Sequence, residues 1–122
     1  MSAKKIISIE DNPASAEYLG IAVEMLGYEY ISFNNAKDGI EYLYEKGADL
    51  VLMDVQLPEL DGYEATRILK KEFPNLPVII QTAYAMSGDK EKAFQAGCDE
   101  YLTKPLSLKE LKGKICRILE GE

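Results

Sequence analysis

The stretch Leu50-Val51-Leu52-Met53-Asp54 joins four consecutive apolar residues to a single carboxylate. An apolar run without polar alternation is typical of a parallel strand that is covered on both faces. The stretch Val78-Ile79-Ile80 has the same character. The sequence therefore predicts two central strands of a parallel sheet, with Asp54 at the end of one of them.

Along the whole chain, five short apolar runs alternate with five helix-length segments. The predicted strands are Lys5 to Ile9, Tyr28 to Phe33, Leu50 to Met53, Val78 to Thr82 and Glu100 to Thr103. Between them the apolar spacing changes to three and four residues, which is the period of a helix. This alternation predicts an α/β fold, a doubly wound parallel sheet that forms one domain over residues 1–122.

The predicted helices carry recognisable start and stop signals. Asn12 followed by Pro13 is typical of an N-cap with proline at the first helical position. Ser107 and Glu110 have the spacing of a capping box. Three glycines stand where helices would end in a left-handed residue, namely Gly27, Gly47 and Gly97.

Composition narrows the classes of function. Of 122 residues, 47% are hydrophobic and 29% charged, which fits a globular protein rather than a disordered chain. The net charge of 14 − 21 = −7 repels phosphate backbones and anionic lipids, so we expect no direct nucleic-acid or membrane partner. The apolar runs are too short for a signal-peptide core or a bilayer span, and we expect a cytoplasmic location.

The sequence contains no histidine. Catalysis by an imidazole, a histidine-ligated zinc site and a phosphohistidine on this chain are therefore excluded. The two cysteines, Cys98 and Cys116, have no metal or redox spacing. Polar chemistry must come from carboxylates, lysine, hydroxyl groups and metals with oxygen ligands.

Chemically active side chains follow four of the five predicted strands. Glu10 and Asp11 come after the first strand, Asp54 ends the third, Thr82 ends the fourth and Lys104 follows the fifth. Because open parallel sheets place their sites beyond the carboxyl ends of the strands, we expect these groups to lie close together.

Three carboxylates within about 5 Å repel by roughly 3 kcal/mol per pair at an effective dielectric of 20, so such a cluster takes up protons or binds a cation. Oxygen ligands without histidine or cysteine favour Mg²⁺ over zinc. An aspartate can also accept a phosphoryl group. We therefore predict that Asp54 is the acceptor and that Glu10 and Asp11 hold the metal. Lys104 and Thr82 are predicted to bind phosphoryl oxygens.

At these residues the chain resembles the response-regulator receiver domains of two-component phosphorelay signalling. The matching stretches occur in family order and are Ile9 to Asn12, Leu52 to Gly62, Gln81 to Ala83 and Ala96 to Pro105. The resemblance covers essentially the whole chain. It implies a flavodoxin-like sheet of five strands in the order 2-1-3-4-5, with five helices.

The resemblance also implies roles at single positions. Asp54 matches the phosphorylated aspartate, and Glu10 and Asp11 match the acidic pair that binds Mg²⁺. The backbone carbonyl of Gln56 matches a further Mg²⁺ ligand. Lys104 matches the phosphate-binding lysine and precedes a proline that in this family usually follows a cis bond.

A switch and its partners are implied in the same way. Thr82 matches the switch hydroxyl, and Tyr101 matches the aromatic residue that changes rotamer with it. Tyr101 is equally well interpreted as half-buried core. The phosphoryl donor would be a histidine kinase or a histidine-phosphotransfer protein, and an output protein or domain would read the result. The chain would accept a phosphoryl group on its own aspartate and later remove it by autodephosphorylation, without acting as a turnover enzyme.

Some positions depart from the commonest family pattern. The acidic pair is Glu-Asp where Asp-Asp is more usual, so Glu10 can reach the metal through water. Gln56 and Tyr84 occupy positions that tune the access of hydrolytic water. The stretch from Thr82 to Met86 is similar to receivers of hybrid histidine kinases, although stand-alone receivers share it.

Two other functions stay open at this stage. A phosphatase with an aspartyl-phosphate intermediate, similar to haloacid dehalogenases, would use the same Asp, Thr and Lys chemistry. That family places an aspartate two residues after the nucleophile, where this chain has Gln56. A receiver that acts only as an interaction module, without phosphorylation, usually lacks the acceptor, the acidic pair or the lysine.

Overall fold

The computed structural model describes residues 4–83 and 88–121, and within them five strands alternate with five helices. The strands are β1 (Lys5–Ile9), β2 (Glu29–Phe33), β3 (Leu50–Asp54), β4 (Val78–Thr82) and β5 (Glu100–Thr103). The helices are α1 (Pro13–Met25), α2 (Ala36–Glu45), α3 (Gly62–Glu72), α4 (Asp89–Ala96) and α5 (Leu108–Glu120).

The predicted start of the second strand was wrong by one residue. Tyr28 does not belong to β2, because its backbone N–H bonds back to the Val23 carbonyl in the turn that follows α1. Strand β3 ends in Asp54, the residue predicted at its carboxyl end, and Asp54 pairs in register with Gln81 of β4. The acceptor candidate therefore stands on the last residue of a strand, held by the sheet itself.

The sheet is parallel throughout, in the order β2-β1-β3-β4-β5, which confirms the expected fold. Every residue of β3 and β4 is buried. Alternate strand residues face opposite sides, so Val51 and Met53 pack toward α2, α3 and α4, whereas Leu50 and Leu52 pack toward α1 and α5. The continuous apolar runs follow from this covering of both faces.

The helix ends lie where their signals predict. The Asn12 side chain accepts a hydrogen bond from the Ser15 N–H at 3.0 Å, and Ser107 Oγ accepts one from the Glu110 N–H at 2.9 Å. The three predicted terminators have left-handed backbones, with φ of +85° at Gly27, +75° at Gly47 and +105° at Gly97. The two N-caps begin helices at the carboxyl end of the parallel sheet, and the three glycines end helices at its opposite edge.

No helix in the described ranges, 4–83 and 88–121, combines the length and the apolar character that crossing a membrane requires.

Candidate functional site

The carboxyl ends of β1 and β3 bring the predicted acidic residues together. Ile9 pairs with Met53 in the register of these neighbouring strands, so the residues that follow, Glu10 and Asp54, end up side by side. Asp11 follows Glu10 in the short loop into α1. Carboxylate oxygens of Glu10, Asp11 and Asp54 all lie within 4.8 Å of one another.

Lys104 reaches this acidic group from the segment after β5. Its Nζ lies 2.6 Å from Glu10 Oε1 and 3.7 Å from Asp54 Oδ1. One ammonium therefore serves two carboxylates. The peptide bond between Lys104 and Pro105 is cis, as the resemblance implied.

The three carboxylates differ in burial and in their hydrogen-bond partners. The Glu10 side chain is fully buried, and its second oxygen, Oε2, accepts a hydrogen bond from the Asn12 N–H at 3.1 Å. Asp54 is also buried, whereas Asp11 is exposed. Both oxygens of Glu10 thus already have protein partners, and Asp11 offers its oxygens to solvent.

The electrostatics of the site favour an incoming cation. Burial, together with the hydrogen bond and the negative charge of Glu10, raises the pKa of Asp54 to about 7. The Lys104 ammonium and the Gln56 backbone N–H oppose this rise but do not cancel it. A dication would neutralise the excess negative charge, and an all-oxygen donor set suits Mg²⁺. The residues present therefore fit this metal.

The loop from β3 to α3 is pressed against the end of the strand. The Gly62 N–H bonds to the Val55 carbonyl at 2.9 Å, and a Cβ at position 62 would lie only 2.1 Å from the Asp54 carbonyl oxygen. Glycine is thus required by close backbone approach. The preceding Asp61 caps α3 by accepting a hydrogen bond from the Glu64 N–H at 2.9 Å.

The remaining predicted residues lie around this centre. Thr82 ends β4 in a buried position, and its carbonyl accepts the Lys104 backbone N–H at 2.7 Å. Gln56 is exposed, and its backbone N–H bonds to Asp54. Tyr101 is half-buried against the core on the α3 and α4 side. Tyr84 and the stretch that resembles hybrid kinases beyond position 83 lie outside the described residues.

Sequence reasoning did not single out Gln81. Its side chain is 1% exposed, and neither its amide nitrogen nor its amide oxygen has a hydrogen-bond partner within residues 4–83 and 88–121. The sequence does show a polar residue at the end of the apolar run of β4. Residues two apart in a strand share a face, so Gln81 lies on the same side as Ile79, which packs toward α1 and α5.

Comparison with known proteins identifies the class. The family model of the response regulator receiver domain matches residues 6–116, so the chain belongs to this family. Its members are signalling domains of two-component systems rather than turnover enzymes. Among curated relatives, the polar-differentiation response regulator DivK of Brucella anthropi is 40% identical over 107 residues, which cover 86% of this chain and 87% of that protein.

Solved structures agree with this assignment. A CheY-like receiver domain protein from Methanospirillum hungatei aligns with a TM-score of 0.92 at 28% identity, over 98% of this chain and 96% of that one. The receiver domain of a sensor histidine kinase from Pseudomonas aeruginosa has a TM-score of 0.86 at 33% identity, over 95% and 97%. That structure has a magnesium ion coordinated in its active site cleft.

Proposed function

We propose that the chain accepts a phosphoryl group on Asp54 from a phosphohistidine of a histidine kinase or histidine-phosphotransfer protein. The observation that carries this proposal is the cluster of the buried Glu10 and Asp54 and the exposed Asp11, with Lys104 bonded into it. An Asp54 carboxylate oxygen forms the new bond to phosphorus as the bond from phosphorus to the donor nitrogen breaks.

The other side chains have separate tasks in this proposal. Glu10, Asp11, Asp54 and the Gln56 carbonyl would hold Mg²⁺, which neutralises phosphoryl charge when bound. Lys104 turns from Glu10 to the phosphoryl oxygens, because the new group carries about −1.5 to −2 charge by analogy with phosphoserine. Glu10, whose Oε2 keeps its hydrogen bond from the Asn12 N–H, contributes to the metal through water.

We assign the conformational response to phosphorylation to Thr82 and Tyr101. The Thr82 hydroxyl binds the phosphoryl group, and Tyr101 turns inward to fill the space that the threonine leaves. This shifts the population between two packings of α4, β5 and α5 and changes which output protein or domain binds there. The phosphoryl group is then lost by hydrolysis on the protein itself.

The same proposal covers organisation and location. Residues 1–122 form one receiver domain, as the family match over residues 6–116 supports. The domain works in the cytoplasm, where thiols stay reduced, and both Cys98 and Cys116 are free. We expect no direct binding to nucleic acid or membranes, given the net charge of −7.

Intact-mass spectrometry after incubation with a small acyl phosphate tests the acceptor. We expect a gain of one phosphoryl group that depends on Mg²⁺ and is absent in Asp54→Asn. Glu59→Gln removes an exposed carboxylate from the same loop and should be phosphorylated normally. If the folded protein gains no phosphoryl group, or Asp54→Asn gains one, the proposal is wrong.

The switch is tested separately. Thr82→Ala should still be phosphorylated, but the backbone amide shifts that phosphorylation causes in α4, β5 and α5 should be lost. The measurement is a two-dimensional NMR spectrum before and after phosphoryl transfer. A wild-type response in Thr82→Ala would remove Thr82 from the switch while leaving the acceptor unaffected.

A further inference from the structure

A second hollow opens beside the phosphoryl-acceptor site, between α1 and the segment after β5. Its volume is about 300 Å³, and its walls include Tyr18 and Leu19 from α1 and Pro105 and Leu106 from the segment. The Tyr18 hydroxyl donates a hydrogen bond to the Leu106 carbonyl at 2.7 Å, which ties the two walls together. Glu10 and Asp11 line a different hollow, on the side of β2.

Gln81 lines this hollow from β4. The side chain is 1% exposed, and its amide nitrogen and oxygen have no hydrogen-bond partner in the described part of the chain. Burial of an amide without partners is unfavourable, because the hydrogen bonds to water are lost and not replaced. An unpaired donor and acceptor on one side chain therefore lie in the wall of a mainly apolar hollow.

We propose that this hollow binds a small planar molecule that carries a cis-amide (lactam) edge. The Gln81 amide would donate one hydrogen bond to the lactam carbonyl and accept one from the lactam N–H, while Tyr18, Leu19 and Leu106 contact the apolar body. The volume and the mainly apolar lining with a few polar groups, Gln81 among them, are typical of small-molecule sites. The lining also includes Lys104 and Pro105, so an occupied hollow would contact the residue that binds phosphoryl oxygens.

The probe for this proposal is the bicyclic lactam carbostyril, titrated into the ¹⁵N-labelled chain. We expect saturable shifts of the Gln81 side-chain amide and of the backbone amides of Tyr18 and Leu106. N-methylcarbostyril keeps the ring and the carbonyl but lacks the N–H, so it should bind roughly tenfold more weakly. This comparison uses the wild-type protein and needs no variant to fold.

Two variants localise the effect. Gln81→Met keeps the side-chain size and removes the amide, so it should lose the preference for the lactam. Gln95→Met removes an exposed glutamine of α4 and should bind like the wild type. Thermal unfolding confirms that both variants are folded.

Several outcomes would overturn the lactam site. They are the absence of saturable shifts, equal affinities for the two compounds, and an unchanged preference in Gln81→Met. If a histidine-phosphotransfer protein broadened these amides while the lactam had no effect, the hollow would be part of a protein interface and the proposal would be wrong. The titration contains neither Mg²⁺ nor a phosphoryl donor, so its failure does not affect the proposed phosphoryl transfer.

Discussion

Two groups of charged side chains in this molecule contain both carboxylates and cationic groups, but in opposite ratios. The site cluster consists of Glu10, Asp11, Asp54 and Lys104, three carboxylates with one ammonium. The edge cluster lies between β5 and α5, where Lys114 Nζ is 3.2 Å and Arg117 Nη2 is 2.6 Å from oxygens of the single carboxylate Glu100. The site cluster carries an excess of negative charge, and the edge cluster an excess of positive charge.

As a result, the pKa of Asp54 in the site cluster and the pKa of Glu100 in the edge cluster are shifted in opposite directions. Burial and the neighbouring Glu10 raise the pKa of Asp54 to about 7. Burial also acts to raise the pKa of Glu100, but the hydrogen bonds and charges of Arg117 and Lys114 outweigh it, so that pKa is lowered. The charges of the edge cluster are therefore compensated within the protein, whereas the site cluster has excess negative charge that a cation would neutralise. Charge balance and burial, more than residue type, distinguish a binding site from a structural ion pair.

The largest expected effect comes from the backbone that supports the site cluster. Gly62→Ala would place a Cβ 2.1 Å from the Asp54 carbonyl oxygen, and a backbone atom cannot give way as a flexible side chain can. We expect the free energy of unfolding to fall by at least about 3 kcal/mol, the upper part of the range for overpacking. Urea unfolding measures this loss.

Gly113→Ala, next to the edge cluster, is the matched control. A Cβ at position 113 meets nothing within 4 Å, and the residue lies inside α5. Because alanine favours a helix more than glycine does, this change should raise the free energy of unfolding by about 1 kcal/mol. Equal losses at the two positions would show that the close approach at Gly62 does not exist in solution.

The second prediction concerns stability without metal. In buffer that contains a Mg²⁺ chelator, Asp54→Asn should raise the free energy of unfolding at pH 8 by about 2 kcal/mol. The raised pKa of Asp54 means that the folded state holds this proton up to about pH 7, whereas the unfolded state loses it near its ordinary value of 3.8. Stability of the wild type should therefore fall as the pH rises from about 4 to 7.

The shape of the pH profile is the decisive readout for Asp54. Asp54→Asn should flatten the decline between about pH 4 and 7, because the group that binds the extra proton is gone. Glu100→Gln should leave this decline in place. A wild-type profile that rises steadily over this range would contradict the raised pKa of Asp54 and the charge imbalance inferred for the site cluster.

The third prediction tests which cluster takes up the cation. Asp11→Asn removes the exposed carboxylate of the site cluster and should weaken Mg²⁺ binding at least tenfold, because one full charge next to the ion is lost. Isothermal titration calorimetry gives the affinity. Glu100→Gln should bind Mg²⁺ as the wild type does, and a matching loss in that variant would mean that the ion is attracted by net charge rather than by the site.

The sequence predicted most of the fold because its local signals agree with one another. The continuous apolar run at Leu50 to Met53, the caps at Asn12 and Ser107 and the terminating glycines all reflect short-range physics. The misplaced start of β2 depended on a hydrogen bond to another segment. The Tyr28 backbone N–H bonds to the Val23 carbonyl in the turn after α1 and so does not join the sheet.

The sequence predicted which residues form the site but not how their side chains are arranged. The rule that strand ends meet at one edge of a parallel sheet groups Glu10, Asp11, Asp54 and Lys104 from sequence alone. This rule does not predict that Lys104 lies closer to Glu10 than to Asp54, since that depends on side-chain packing. Gln81 was missed because its unpaired amide becomes visible only when the helices that bury it are in place.

The smallest effect belongs to the edge cluster. Glu100→Gln removes the carboxylate that holds Lys114 and Arg117, but the Arg117 side chain is 57% exposed, so water replaces much of what is lost. We expect the free energy of unfolding to fall by less than about 1 kcal/mol, and by still less in high salt, since ions screen exposed pairs. Urea unfolding at low and high salt measures both. A loss above about 2 kcal/mol that salt does not change would mean that the edge cluster behaves as a buried network, as in tightly packed ion pairs. The contrast with the site cluster would then rest on the number of carboxylates alone.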